Sequence, residues 1–347
     1  MKPAHLHRII PLERFREIVA EFDFDHQSWS DAYWLRFAAQ VAVLCPDEPA
    51  TAAKRITLIG NELLKKAKWF EAFQSPMRFV VAAALVQTHT KVVDFLHDYK
   101  RLEEVLDRVG LRHGGRYEPI TLLILRMNPD HHTFSMMEAE RLKNIYKHMK
   151  NFHWWITGID DLPACAALSQ MTGSAEIITA EAEGIYQRLL SAGLQRGNHL
   201  QNAANLLPLT RLKADRAADR FLGLLRQAEV QRIMILPEHY DGLSVLSLLE
   251  QTPALVMERM EAVRREIDLI HPDLKGSSSF ALAADLTALD LVRYDAHNQP
   301  LQSPTHDEQI RLHLKILNMA MLMQVSHIDM ALDFDTMGQL PVAWPYI

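Results

Sequence analysis

Apolar residues in this chain recur with a period near 3.6 in segment after segment, and the strict alternation of a half-buried strand is nearly absent. That pattern confines the fold to helices packed on helices, because an apolar stripe on each helix has to be covered by another. The helix boundaries are legible too. Ser30 stands ahead of DAYWLRFAAQVAVL. Ser135 opens SMME, with Glu138 three residues on, a capping box ahead of a helix that runs to about Asn151. Thr305 opens THDE in the same way, with Glu308, ahead of a long C-terminal helix. Ser75-Pro76 and Thr252-Pro253 read as caps followed by proline at the first helical position. About fifteen helices with short connections account for the chain, and HNQPLQSPT, His297 to Thr305, is the one obvious break. Glycine is scarce, at 13 residues in 347, which agrees with few turns.

The helices repeat. A shift of 83 positions places Ala83, Ala84, Leu85 and Gln87 on Ala166, Ala167, Leu168 and Gln170. It also places Leu106, Gly110, Leu111, Gly114 and Leu123 on Leu189, Gly193, Leu194, Gly197 and Leu206. A more worn copy lies at a shift of 80, where Asp161, Leu168, Leu189, Leu194 and Ala203 fall on Asp241, Leu248, Leu269, Leu274 and Ala283. The glycines have a structural reading. With Gly193 just past a helix end, Leu194 and Leu189 take the places of the apolar pair in a Schellman cap, and Leu106, Gly110 and Leu111 repeat the arrangement. Gly197 and Gly114 then turn the chain into the next helix. A phosphate cradle would need a strand before the glycines, and none is present.

A unit of about 80 residues holds roughly four helices and cannot bury its apolar faces alone, so neighbours stack. The expected fold is all-α: an α-solenoid-like helical-repeat array, with a closed αα toroid as the alternative. Its parts are an N-terminal helical cap over 1–74, repeats over 75–157, 158–240 and 241–296, and a C-terminal helix and tail over 305–347, all in one folded unit. The N-terminal cap and the C-terminal helix are expected to close the two ends.

Composition sets limits on function. The net charge of -6 lacks the positive field that a general nucleic-acid binder needs, so no nucleic acid is expected as a partner. The longest apolar run, Phe79 to Val86, is far short of a membrane span, so no membrane insertion is expected. Two cysteines, Cys45 and Cys165, cannot build a disulfide framework, and the N-terminus has no signal-peptide core, which points to the cytoplasm. No cofactor is required by anything in the sequence.

Chemistry, if present, should sit where one copy departs from the others. The second copy departs most: His153, Trp154, Trp155, Asp160, Asp161, Tyr186, Asn198, His199, Gln201, Asn202 and Asn205. The first copy has Gly115, Arg116, Glu118, Pro119 and Leu122 where the amide-rich group stands. Asp160 and Asp161, just ahead of Pro163, read as helix caps or as a carboxylate pair. Asn198, Asn202 and Asn205 share a helical face with Gln201 beside it, suited to recognition because amides do not titrate. A metal group could assemble from Asp130, His131, His132, His153 and Asp161, although no His-Glu-x-x-His or Cys-x-x-Cys spacing is present. The basic RLKNIYKHMK reads as a solvated helix face, and NMAMLMQ, Asn318 to Gln324, as adaptable core or a partner-helix seam.

The stretch NFHWWITGIDDLPACAALSQMTG, followed by IYQRLLSAGLQRGNHLQNAANLL, resembles a family of bacterial proteins known as domain of unknown function 4003. The residues that carry the resemblance are His153, Thr157, Asp160 or Asp161, Tyr186, Leu189, Gly193, Gly197, Asn198, Leu200 and Gln201. Trp154-Trp155 and Ala203-Ala204 depart from the pattern. The resemblance implies a helical bacterial protein and no particular activity. Two functions follow as expectations. The first is a non-enzymatic protein that binds a peptide, a protein or a small polar ligand around Trp154, Trp155, Tyr186, Asn198, His199, Gln201, Asn202 and Asn205. The second is a metal-dependent or acid/base enzyme built on His153, Asp160 and Asp161.

Overall fold

In the computed structural model of the chain, residues 9–67, 71–111, 115–127, 134–274, 276–301 and 304–328 are described. Among them are fifteen α-helices and no strand, only an isolated bridge between Tyr294 and Pro300. In chain order they are α1 (Pro11–Ala20), α2 (Trp29–Ala42), α3 (Pro49–Lys66), α4 (Arg78–Gln87) and α5 (Val92–Val109). Next come α6 (Tyr117–Arg126), α7 (Met136–Phe152), α8 (Leu162–Ser169), α9 (Ala175–Ser191) and α10 (Asn198–Leu206). The last are α11 (Ala214–Val230), α12 (Tyr240–Leu246), α13 (Pro253–Ile270), α14 (Ser277–Leu291) and α15 (Pro304–His327).

Two kinds of helix alternate along the chain, and their composition decides where each one goes. The odd-numbered helices from α3 to α13 are mostly amphipathic. In α5 the buried set is Val92, Phe95, Tyr99, Leu102, Val105, Leu106 and Val109, a single stripe at helical spacing, so the opposite face stays in water. The even-numbered helices are buried on nearly every side, and most of them are largely apolar. RFVVAAALVQ and LPACAALS bury almost every side chain, so they need partners on every side. The packing satisfies both. The buried helices α2, α4, α6, α8, α10, α12 and α14 each touch the next, and α14 returns to α2. The amphipathic helices form an outer layer, with contacts running from α1 through α3, α5, α7, α9 and α11 to α13. The seam is closed by specific contacts: Arg36 to Asp273 at 2.7 Å, Gln40 to Asp285, Tyr33 to Ser278, and the ring of Phe15 against His271 at 6.1 Å. The arrangement is therefore the closed αα toroid rather than the open array.

The C-terminal helix does not cover an end of this ring. It contacts α2, α6, α8, α12 and α14, all inner helices, and so lies along the ring's axis. From Ile316 to Ser326 nearly every residue is buried. The methionines Met319, Met321 and Met323 sit in this stretch, where an unbranched thioether fills an irregular bore well.

The helix ends bear out the cap reading of the glycines. Gly193 has φ +94° and Gly110 has φ +72°. The N–H of Leu194 bonds the carbonyl of Leu189 at 3.3 Å and that of Gly193 bonds Leu190 at 3.0 Å, and the Leu111–Leu106 and Gly110–Asp107 bonds match at 3.0 and 2.9 Å. Gly197, at φ +147°, precedes α10, while Gly114 lies outside the described residues. The worn copy is different. Leu269 is 81% exposed while Leu274 is fully buried, so the pair makes no cap. Ser135 and Glu138 form the expected capping box and Thr252 caps α13. Two starts shift. Ser28, not Ser30, caps α2, and α15 begins at Pro304, which puts Thr305 inside the helix.

Candidate functional site

The first turns of α8, α10, α12 and α14 come together on one side of the ring. Gln201 in α10 reaches Asp161 at the start of α8, and Asp241 in α12 reaches the end of α15. The opposite mouth gathers the residues that follow α10 and α12, Arg211 and Glu250, with His313 of α15. The axial helix thus runs antiparallel to the inner ring and delivers its last turn to the mouth where the inner helices begin.

Most residues singled out in the second copy lie at or beside this mouth, in three settings. The first is a buried polar bridge. Asp161 is 2% exposed and accepts from the Gly158 N–H at 2.9 Å. The Gln201 amide donates to Asp161 Oδ1 at 3.1 Å and to Thr157 Oγ at 3.3 Å. Burial, followed by the neighbouring Asp160 charge, pushes the Asp161 carboxyl up to about 7 against the Gly158 and Gln201 hydrogen bonds. So Asp161 does cap backbone, but the turn before α8 rather than α8 itself, which has no side-chain cap.

The second setting is around His153, which ends α7. Its Nε2 lies 2.6 Å from Glu183 Oε2 of α9, and its ring lies 4.2 Å from the ring of Tyr186. Burial raises the Tyr186 phenol above its ordinary range. A small cleft here is lined by His153, Thr179, Glu183, Tyr186, Gln201 and Asn205. Glu183, which holds the histidine, has no local signature in the sequence and was not anticipated. Directly outside this cleft the chain turns away from the ring and leaves two tryptophans in solvent. Trp154 is 71% and Trp155 49% exposed. They pack edge to face at 6.0 Å, and Trp155 meets the His153 ring edge at 5.8 Å.

The third setting is the axial mouth itself. His199 lines a cleft with Glu238, Asp241, Ser277, Gln324 and His327 over the ring of Phe280. His327 Nδ1 is 3.2 Å from Asp241 Oδ2, and both side chains are 7% exposed. Burial opposes a charged His327, yet the Asp241 hydrogen bond and charge, with Asp161 and Asp160, outweigh it and raise its pKa. Behind them Asp285 bonds Gln40, and its carboxyl is pushed well up by burial and by Asp241. Of these, His199 was a candidate from the sequence, Asp241 was the counterpart of Asp161 in the worn copy, and Gln324 closed the methionine-rich stretch, while Glu238, Asp285 and His327 had no sequence signal.

The amide-bearing face of α10 divides. Asn202 and Asn205 are buried and Asn198 is exposed. His153, Asp161 and His199 occupy the three separate settings and do not share a cleft. Asp130, His131 and His132 lie outside the described residues. Among the described residues no group of three or more His, Cys, Asp or Glu side chains is placed to hold a metal ion.

The family described as Protein of unknown function (DUF4003) matches residues 24–302, most of the chain. The chain belongs to this family. The DUF4003 span holds all seven inner helices and stops just before the axial helix, so Asp161, Gln201 and Asp241 fall within it and His327 outside it. Neither a curated protein nor a solved structure matches the chain. Among the described residues no single helix is long and apolar enough to cross a membrane.

Proposed function

We propose that this DUF4003 protein is a binding protein that takes a peptide or protein segment on the aromatic surface formed by Trp154 and Trp155. The observation that carries the reading is the exposure of both indoles on a fixed base. Large aromatic side chains are left in water at an energetic cost that folding does not require, and buried aromatics supply much of the affinity at interfaces. Trp155 leans on His153, whose ring is clamped by Glu183 and Tyr186, so little conformational freedom is lost on binding. Phe152, 39% exposed, lines the adjoining cleft with His153. The ring's bore, where a helical toroid would hold a substrate, is filled by α15. Both cysteines are buried free thiols, which suits a reducing cytoplasm.

The test is selection of a displayed random peptide library on the native protein, with Trp154→Ser/Trp155→Ser as counter-target. Expected are peptides with apolar or aromatic anchors whose affinity falls at least about tenfold for the double variant, a change of about 1.4 kcal/mol. Trp154 is largely exposed and should change stability by no more than about 0.5 kcal/mol, while Trp155, half-buried against His153, should cost about 1 kcal/mol, so the variant stays folded. Selected peptides that bind both proteins alike, or no enrichment over background, would overturn the reading.

A further inference from the structure

We propose that the cleft at the axial mouth, between the first turns of α10, α12 and α14 and the last turn of α15, binds a primary ammonium group. It uses different side chains from the aromatic surface, so either site can fail alone.

Three observations converge. The first is unmet hydrogen-bonding capacity. Asp241 and Gln324 are 5% and 2% exposed and both line the cleft. Two acceptors there, Asp241 Oδ1 and Gln324 Oε1, have no hydrogen-bond partner. A buried polar atom left unpaired costs roughly 1–3 kcal/mol, and folded proteins keep few of them. Two buried acceptors on one small cleft call for an occupant that donates. The second is charge. Asp241 and Glu238 line the cleft, and Asp160 and Asp161 act electrostatically on His327 from α8's side. Asp241 in turn acts on Asp285 behind it. Against these carboxyl groups the lining offers His327 and His199. The local excess of acid selects a cation. The third is size. The free volume is about 20 Å³, enough for one water-sized group and too little for a trimethylammonium head.

A primary ammonium has the matching form. Its three N–H donors can address Asp241 Oδ1, Gln324 Oε1 and the Glu238 carboxylate at the lip, while its alkyl stem leaves the cleft past Phe280 and Ala281. A divalent metal ion fits less well, since it wants a shell of carboxylates and carbonyls or of imidazoles and thiolates, and the described residues offer no such group. The ammonium can belong to a free alkylamine or to a lysine side chain of a polypeptide.

Isothermal titration of the full chain tests this with n-butylammonium, with a short lysine peptide, and with the same peptide carrying norleucine for lysine. The expected result is saturable 1:1 binding of an ammonium probe that is lost with norleucine and weakened at least tenfold by Asp241→Asn and by Gln324→Leu. Binding of n-butylammonium as tight as the peptide assigns the site to free amines; binding of the lysine peptide alone assigns it to polypeptides. If Asp241→Asn fails to fold by circular dichroism, Gln324→Leu and Glu238→Gln carry the comparison. No heat from either ammonium probe at millimolar concentration, binding of norleucine and lysine peptides alike, or unchanged affinity in the folded variants would overturn the proposal.

Discussion

At the scale of single residues, Asp161 gives the sharpest consequence. Its carboxyl titrates at about 7 in the folded chain against an ordinary value of 3.8, because burial and the adjacent Asp160 penalise the charged form. A raised acid binds more protons folded than unfolded across that interval. Its contribution to stability is therefore complete below about pH 4 and is lost as pH rises through 7. His239 and His271 act in the opposite sense. Burial first, and nearby arginines, lower both to about 4, so their contribution is present above 6.5 and lost as pH falls toward 4. Asp161→Asn keeps one acceptor oxygen in place of two, so it should lose either the Gly158 or the Gln201 hydrogen bond at every pH and also lose the slope. Melting curves of the variant and the parent should converge as pH rises from 5 to 8. Curves that stay parallel across that range would show that Asp161 is not titrating there. The location of Asp161 before Pro163 was readable from the sequence. Its partner Gln201, 40 residues on, was singled out for its amide, yet nothing local says that the two meet.

At the scale of an element, a helix end in this chain is written in three or four residues. Gly193 and Gly110 hold left-handed backbone at the ends of α9 and α5, with no atom within 4 Å of where a Cβ would stand. The only penalty for alanine is thus conformational. Gly193→Ala and Gly110→Ala should each lose about 1 kcal/mol in urea unfolding without loss of binding at either proposed site. A loss below a few tenths would contradict the cap. The same letters mislead where tertiary contacts take over. Leu269 and Leu274 keep the spacing of the pair, but α13 stops at Ile270 with His271 as its cap and turns Leu269 out to solvent. Phe15 packs against that same His271 across the ring seam. Pattern alone does not reveal that a neighbour's contact replaces a local one.

At the scale of the whole molecule, closure and the axial helix bind the two chain ends into one cooperative unit. In an open array each helix pair touches only its neighbours and the ends can fray separately. Here α1 and α2 meet α14, and α15 touches helices from both halves. Fluorescence and circular dichroism should follow one coincident unfolding transition, and amides of α2 and α14 should exchange together. Early exchange in α14 with α2 still protected would argue against a closed ring. Leu317, 1% exposed near the middle of α15, should cost about 2–5 kcal/mol as alanine, the loss of a core residue rather than of an end cap, and denaturant midpoints would show it.

The sequence by itself determined that the fold is helical, and it placed several helix ends, at Ser135, Thr252, Gly110 and Gly193. Those properties depend on periodicity, caps and glycine conformation, which act over fewer than about ten residues. It also marked the second copy as the place where polar side chains collect. Only the tertiary structure decided that the row of helices closes, that the methionine-rich last helix lies inside it, and that Asp241 and His327 face each other. Each depends on contacts between residues far apart in the chain, such as Gln40 with Asp285 and Asp241 with His327, and the side chains at such contacts carry no local mark of their partners. An apolar stripe says that a helix must be covered, and leaves open which helix covers it.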